Sequence, residues 1–461
     1  MSQKEDYLFR KQITELYPFQ EKALDSWRKR RDMLITLPTG RGKSLCYQLP
    51  SLEQDGLTLV ISPLIALMQD QVMGLTEAGV KSGYLSSLQD PEKQEKVLQE
   101  MGQYALLYVT PERLASRRFL EVLKMQTVEA VVIDEAHCVS LWGRTFRPSY
   151  RRLKDFLRQF PGARRVALSA TVTPVVKRDI YHFLELRNPV EIIESPLRND
   201  LTLHLEVREN PLSLLRRVIH TGGPGIIYTQ SRYECERLAF LLSHDIPTAF
   251  YHAGMSRKER DESLRQFLAN EVQWMVATSA FGMGIDKSDI RTVVHLDPPP
   301  SLEDYLQQIG RASRDGKGGK AYLFLSSRIL LRKEKEYRPR AGFVIAALLR
   351  GKWELFLRKI YSYQLWRAML RWIGSGLSSK VLMRYFEGKS LKHRGMGLPF
   401  SFLVGFLQGQ RDDGLLFPGY GVKRGFSRMV FERWFWRGVR QGNLCFDVRN
   451  GEFWVRRGER Q

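Results

Sequence analysis

Cysteine is scarce in this chain. Its 461 residues include four, Cys46, Cys138, Cys235 and Cys445, all isolated and with no Cys-x-x-Cys pair. Disulfide frameworks and zinc sites need clustered or regularly spaced cysteines. Both are therefore excluded, and no zinc is expected. Long apolar runs are lacking as well. None approaches the ~18 residues of a spanning helix, and 343–349 is far too short. The start, MSQKEDYLFRKQ, has no apolar segment of the kind that directs secretion. These absences predict a soluble, cytoplasmic protein without a membrane partner, nucleoid-associated if the source is bacterial. Acids and threonine are missing at the other end. Residues 331–461 contain 27 Lys+Arg against 10 Asp+Glu and no threonine, whereas the first 330 residues contain 16 threonines. The net charge of +22 is thus concentrated in the last third, which carries +17 of it. Such a segment reads first as a polyanion binder, most often of nucleic acid. A solvated basic face or tail is the other reading.

What is present is a rhythm. At roughly 150 residues per domain the length suggests about three domains. Short apolar runs at 33–37, 57–62, 105–110, 130–134 and 166–169 alternate with helical patterns. A second set follows at 225–228, 248–251, 274–278, 292–295 and 320–325. Alternation of this kind predicts parallel strands joined by crossover helices. Residues 194–200, Glu-Ser-Pro-Leu-Arg-Asn-Asp, form a linker between the two sets. The expectation is an α/β chain with two tandem doubly wound domains, 1–195 and 196–335. A basic, aromatic-rich region of unspecified fold, 336–461, follows them. Residues 331–461 hold 23 of the 51 aromatics and six of the nine tryptophans.

Two segments carry chemistry. The run 37–44, Leu-Pro-Thr-Gly-Arg-Gly-Lys-Ser, leaves one strand and enters a helix expected to open at Lys43. Backbone N–H groups of such a turn, with the helix N-terminus, bind phosphate. Thr39, Gly40 and Gly42 would cradle it, Lys43 would neutralise it and Ser44 would ligate Mg²⁺. The full pattern with a leading glycine is not met, because Leu37 stands there. The run 131–137, Val-Val-Ile-Asp-Glu-Ala-His, delivers Asp134 and Glu135 to a strand's polar end. Asp134 suits Mg²⁺ binding and Glu135 suits a water-orienting base, as phosphoryl transfer requires. Taken singly, either run could be an ordinary turn or helix cap. Together they make a nucleotide-hydrolysing site.

Asp134-Glu135-Ala136-His137 resembles motif II of superfamily-2 helicases. The segment 138–150 after it, containing Trp142, Phe146, Arg147 and Tyr150, is similar to the aromatic-rich loop of RecQ DNA helicases. Further matches follow in order. Pro38 through Pro50 resembles motif I, and Ser62-Pro63-Leu64 with 67–72 resembles motif Ia. Thr110-Pro111-Glu112-Arg113 is similar to motif Ib and Ser169-Ala170-Thr171 to motif III. Ile227-Tyr228 resembles motif IV, 277–287 motif V and 307–316 motif VI. The resemblance covers about residues 10–335. It implies two RecA-like domains and an ATP- and Mg²⁺-dependent 3′→5′ DNA helicase acting on single-stranded and forked DNA in repair and recombination. It also implies roles. Gln20 would read adenine and Tyr17 would stack on it, Asp286 would approach the ribose or the metal, and Arg311 and Arg314 would reach the phosphates. Arg314 would be the arginine finger. His137 and Thr171 would couple hydrolysis to DNA. Trp142, Phe146 and Arg147 would face the single strand, since aromatic faces stack on any base.

The chain also departs from the family. Leu141, Arg144 and Thr145 replace a usual Gln, His and Asp. Arg41 and Ser313 replace glycines, and Tyr17 replaces an arginine. A DNA-dependent ATPase or translocase with weak or no unwinding is the alternative these changes raise. The family's zinc platform lacks its cysteines here, although 382–387, Leu-Met-Arg-Tyr-Phe-Glu, echoes one of its segments. Three readings of the basic region stand: a metal-free DNA-binding module, a segment for other partners, or the product of a shifted reading frame.

Overall fold

The computed structural model describes residues 3–140, 148–207, 212–281 and 287–325. Beyond these it describes stretches between 329 and 387 and the strands 398–399, 444–449 and 452–457. Seven strands build the first sheet: β1 (Met33–Thr36), β2 (Leu57–Ile61), β3 (Ser82–Leu85), β4 (Leu106–Val109), β5 (Val128–Ile133), β6 (Arg164–Ser169) and β7 (Val190–Ile193). Their order is β3-β4-β2-β5-β6-β1-β7, and every neighbouring pair is parallel. Crossover helices cover both faces, so the inner strands are buried along their length and read as unbroken apolar runs. Alternate residues still go to opposite sides. Leu34, Leu59 and Ile61 join one core, while Met33, Ile35 and Val60 join the other.

The second sheet repeats the plan. It contains β8 (Leu201–Val207), β9 (Gly225–Tyr228), β10 (Thr248–Tyr251), β11 (Trp274–Ala277), β12 (Thr292–His295) and β13 (Gly319–Leu325). The order is β10-β11-β9-β12-β13-β8, again all parallel. Two parallel-sheet cores in tandem are what the sequence rhythm predicts. Three strands of these two sheets, β3, β7 and β8, are not marked by that rhythm, and all lie at sheet edges. There one face or end stays in contact with solvent, so the apolar run is interrupted. The helix after the phosphate-binding turn begins at Leu45 with Ser44 as its N-cap, two residues later than expected, because Lys43 and Ser44 remain in the turn.

Both sheets belong to one compact unit, Met1–Val172, Val176–Pro299 and Glu303–Leu330. A second unit comprises Leu331–Gln461 with Thr173–Val175 and Pro300–Leu302. Within it, helix Trp353–Gly374 buries a stripe of Leu365, Trp366, Met369, Trp372 and Ile373, at the spacing of one helical face. Helix Ser379–Phe386 buries Leu382. Strands β15 (Leu444–Arg449) and β16 (Glu452–Arg457) pair antiparallel, and β14 (Leu398–Pro399) adds to β16. Among the described residues no helix is long and apolar enough to cross a membrane. No group of three or more His, Cys, Asp or Glu among them could hold a metal ion.

Candidate nucleotide site

Strand register assembles the site. In the first sheet β6 lies between β1 and β5, with Thr36 beside Ser169 and Ile133 beside Ala167. The three strands therefore end together, and ligands of such sheets bind beyond those carboxyl ends.

The loop 37–44 leaves β1. Gly40 and Gly42 have φ of +79° and +72°, the left-handed region that glycine enters without a Cβ penalty. Gln20 supports the loop from behind. Its Nε2 donates to the Gly42 carbonyl at 3.2 Å, and its Oε1 accepts from the Tyr17 N–H at 2.9 Å. The Tyr17 ring stacks on Phe19, and the Arg41 guanidinium lies 5.5 Å from its centroid. Two of the positions at which this chain departs from the family, Tyr17 and Arg41, thus touch each other.

From β5 come the two acids. The Asp134 N–H extends the sheet by donating to the Ile61 carbonyl at 2.9 Å. Its Oδ1 accepts from the Glu135 N–H at 3.0 Å and its Oδ2 from Ser62 Oγ at 3.3 Å. Burial and the adjacent Glu135 charge push the Asp134 carboxyl up, and Lys43 opposes them. Glu135 sits in the left-handed region at φ 48°, a conformation costing a non-glycine residue roughly 1–2 kcal/mol. Burial favours its neutral form, but His137, Lys43 and Arg311 outweigh burial and hold the carboxyl well below its ordinary value. Glu135 is therefore held in its ionised form.

His137 Nδ1 lies 3.2 Å from Glu135 Oε2 and 3.1 Å from Ser169 Oγ. The Ser169 hydroxyl itself donates to the Thr171 carbonyl at 2.9 Å, so it accepts from His137. Glu135, His137, Ser169 and Thr171 thus form one polar chain from motif II to motif III. A second tie comes from the end of the aromatic-rich segment. The buried Tyr150 donates to the Asp134 carbonyl at 3.0 Å, and Ser149 Oγ donates to Glu112 at 3.0 Å.

Motif VI completes the enclosure from the second sheet. Helix Leu302–Ile309 ends at Gly310, where a Cβ would lie 2.1 Å from Thr39 Oγ1. A Cβ on Gly40 would lie 2.9 Å from Arg314 Cγ. Arg311 is buried and hydrogen-bonds the Tyr228 hydroxyl, which donates to the Phe281 carbonyl at 3.1 Å. The resulting cleft, about 620 Å³, is lined by Thr39, Gly40, Gly42, Lys43 and Ser44 of the loop, by Asp134 and Glu135, and by Arg311 and Arg314. Gln20 and Tyr17 stand behind the loop and do not line the cleft. Asp286, Trp142, Phe146 and Arg147 lie outside the described residues. Ser62, Ser169 and Tyr228 were visible only as members of motifs; their partners emerge from sheet register.

The residues fit a magnesium nucleoside triphosphate. The loop bears two glycines whose Cβ positions are already occupied by neighbours, and the Thr39 hydroxyl is buried with no protein partner. Lys43, Ser44 and Asp134 share the cleft with it.

Comparison with known proteins agrees. The DEAD/DEAH box helicase model matches residues 17–179, and the helicase conserved C-terminal domain matches 210–316. The chain is 43% identical over 310 residues to the ATP-dependent DNA helicase RecQ of Haemophilus influenzae, covering 66% of this chain and 50% of that protein. With RecQ of Bacillus subtilis it is 41% identical over 303 residues, covering 64% and 51%. Over its two helicase domains the chain is similar to RecQ DNA helicases. It spans about half the length of the curated RecQ relatives it matches. The fold is shared more widely. Helicase Lhr of Mycobacterium smegmatis, bound to ssDNA and AMP-PNP, matches with a TM-score of 0.57 at 22% identity, covering 70% of this chain and 47% of that one. Dbp5 of S. cerevisiae, bound to RNA and ADP BeF3, matches with 0.58 at 18%, covering 73% and 91%.

Proposed function

We propose that this chain is an ATP-driven DNA helicase that translocates 3′→5′ on single-stranded DNA and separates forked duplexes in repair and recombination. The observation that carries this reading is the meeting of motif VI with the phosphate loop, Gly310 on Thr39 and Arg314 over Gly40. Arginines from one sheet thereby reach a phosphate site built on the other, as a motor that works by closing a cleft requires. Bound ATP with Mg²⁺ supplies the phosphoryl group and the metal charge that polarises it. Lys43 would neutralise phosphate charge, and Ser44 and Asp134 would hold the metal. Ionised Glu135 accepts the proton of the attacking water. Arg314, with Arg311, stabilises charge developing on the transferred group. The chain His137–Ser169–Thr171 links that event to the DNA-facing side. Asp286 would approach the ribose or the metal, and Trp142, Phe146 and Arg147 would stack on and pair with the single strand.

The organisation proposed is an ATP-binding domain over 1–195, a second domain over 196–335 and a basic region after them. That region, with 27 Lys+Arg against 10 Asp+Glu over 331–461, adds phosphate contacts, so binding falls steeply with salt. Cys46, Cys138 and Cys235 are buried and form no disulfide, which suits a reducing cytoplasm. The test is ATP hydrolysis with and without single-stranded DNA, beside strand displacement on a fork. DNA-stimulated turnover with displacement is expected. Turnover without displacement would make the chain a translocase, the alternative raised by Leu141, Arg144 and Thr145. Lys43→Ala is expected to lose turnover and keep DNA binding; normal hydrolysis in that variant would refute the site.

A further inference from the structure

Arg198 is a charged residue of the segment that runs from the first sheet to the second, yet it is only 7% exposed. Arginine presents five N–H donors in a planar fork, and here all five have acceptors. Nη1 donates to the Gly310 carbonyl at 3.3 Å and the Ala312 carbonyl at 2.9 Å. Nη2 donates to the Ser313 carbonyl and to Asp200 Oδ2. Nε donates to Asp200 Oδ1 at 3.0 Å. The three carbonyls belong to the turn that carries Arg311 and leads into Arg314. A cation at this point also complements the carbonyl end of helix Leu302–Ile309. The same guanidinium reaches the phosphate loop, since Nη1 lies 3.6 Å from where a Cβ on Gly40 would be.

We infer that Arg198 is a positioning residue for nucleotide hydrolysis. From the connecting segment it fixes the backbone of the motif VI turn, and so the approach of Arg311 and Arg314 to the phosphate loop. The inference rests on the proposed ATP site. Arg198 touches no substrate; it acts through the two arginines. Asp200 braces its other edge, and the Asp200 carbonyl accepts from the Gly319 N–H at 3.0 Å, anchoring the pair to the start of β13. Lysine, a point charge without the fork, cannot satisfy these acceptors together.

The experiment uses the full chain with Arg198→Lys, Arg198→Gln and Asp200→Asn. It measures kcat and KM for DNA-stimulated ATP hydrolysis, together with the affinities for ADP and for ADP with aluminium fluoride, which mimics the transferring phosphoryl group. A displacement of the arginines by about 1 Å would cost on the order of 100-fold. Both Arg198 variants are expected to lower kcat by about 10- to 100-fold, with a matching loss of ADP–aluminium fluoride affinity. ADP affinity should change by less than about threefold. Asp200→Asn, which leaves the arginine in place, should move the same quantities in the same direction by less. An unchanged kcat in the Arg198 variants would overturn the inference. So would equal losses of ADP and ADP–aluminium fluoride affinity, which mark a structural role. If the glutamine variant does not fold, the lysine and Asp200 variants decide. A wild-type chain without DNA-stimulated turnover would instead defeat the functional reading on which the inference stands.

Discussion

Replacing Gly310 by alanine would place a methyl group 2.1 Å from Thr39 Oγ1 and 3.0 Å from the Leu306 carbonyl oxygen. Carbon and oxygen approach comfortably to about 3.3 Å, so the motif VI turn and the phosphate loop would have to part by about 1 Å. Gly310 is not among the glycines with positive φ, so alanine strains no backbone dihedral there. The cost falls on the meeting of the two loops and not on either sheet. A 1 Å misplacement at a site of this kind is worth roughly 100-fold in rate, or about 2.7 kcal/mol of transition-state stabilisation. Steady-state ATPase at saturating single-stranded DNA should therefore show kcat reduced by about two orders of magnitude, while the urea midpoint stays close to wild type. Thr39→Ala removes the obstructing oxygen. In the double mutant, part of the Gly310→Ala loss should return, and the cycle should give a coupling of at least about 1 kcal/mol. Wild-type kcat in Gly310→Ala, or strict additivity in the cycle, would show that these loops do not meet as described.

Ser313 stands where the family has glycine, with φ 55°, and its Oγ accepts from the Gly318 N–H at 2.8 Å. Ser313→Ala keeps the strain and loses the hydrogen bond, whereas Ser313→Gly loses the bond but relieves the strain. Urea titration should therefore find the glycine variant more stable than the alanine variant by about 1 kcal/mol, and the reverse order would refute the left-handed assignment. His295 is buried between Tyr228 and Tyr305, with its Nε2 2.7 Å from Gln308 Oε1. Burial lowers its pKa to about 4. The unfolded chain therefore binds the proton first, so this residue's contribution is complete above about pH 6.5 and is lost as pH falls toward 4. Between pH 7 and pH 5 the loss should be about 2 kcal/mol, visible as a shift in urea midpoint that His295→Phe flattens; an equal shift in that variant would assign the effect elsewhere.

Much of this architecture is legible because inner parallel strands must be apolar on both faces. Runs such as Leu57–Ile61 and Trp274–Ala277 leave few alternatives. The two acids are equally legible, since a buried strand that ends in Asp134 and Glu135 needs a polar partner. What escaped depends on distant neighbours. β3 and β7 are four residues each and only partly buried, so nothing marks them locally. Ser169 becomes a partner of His137 only because β6 inserts beside β1 and β5 in one register. Arg198 reads as an ordinary solvated linker charge. Its burial is created by carbonyls more than a hundred residues away. The contact between Tyr17 and Arg41 is likewise invisible until helix Pro18–Arg28 packs behind the loop.

The position of β6 has a consequence for the time course of folding. β1 begins at Met33, β5 at Val128 and β6 at Arg164, yet β6 is the strand that joins the other two. The phosphate loop and the acid pair cannot be neighbours until the last of the three to be synthesised has inserted between the first two. Pairings this distant along the chain carry a loop-closure cost that is met before any contact rewards it, so they form slowly. Nucleotide affinity should then be acquired late. During refolding, the signal of a fluorescent nucleotide is expected to lag behind recovery of helical circular dichroism, and coincident recovery of the two would show that β6 docks early.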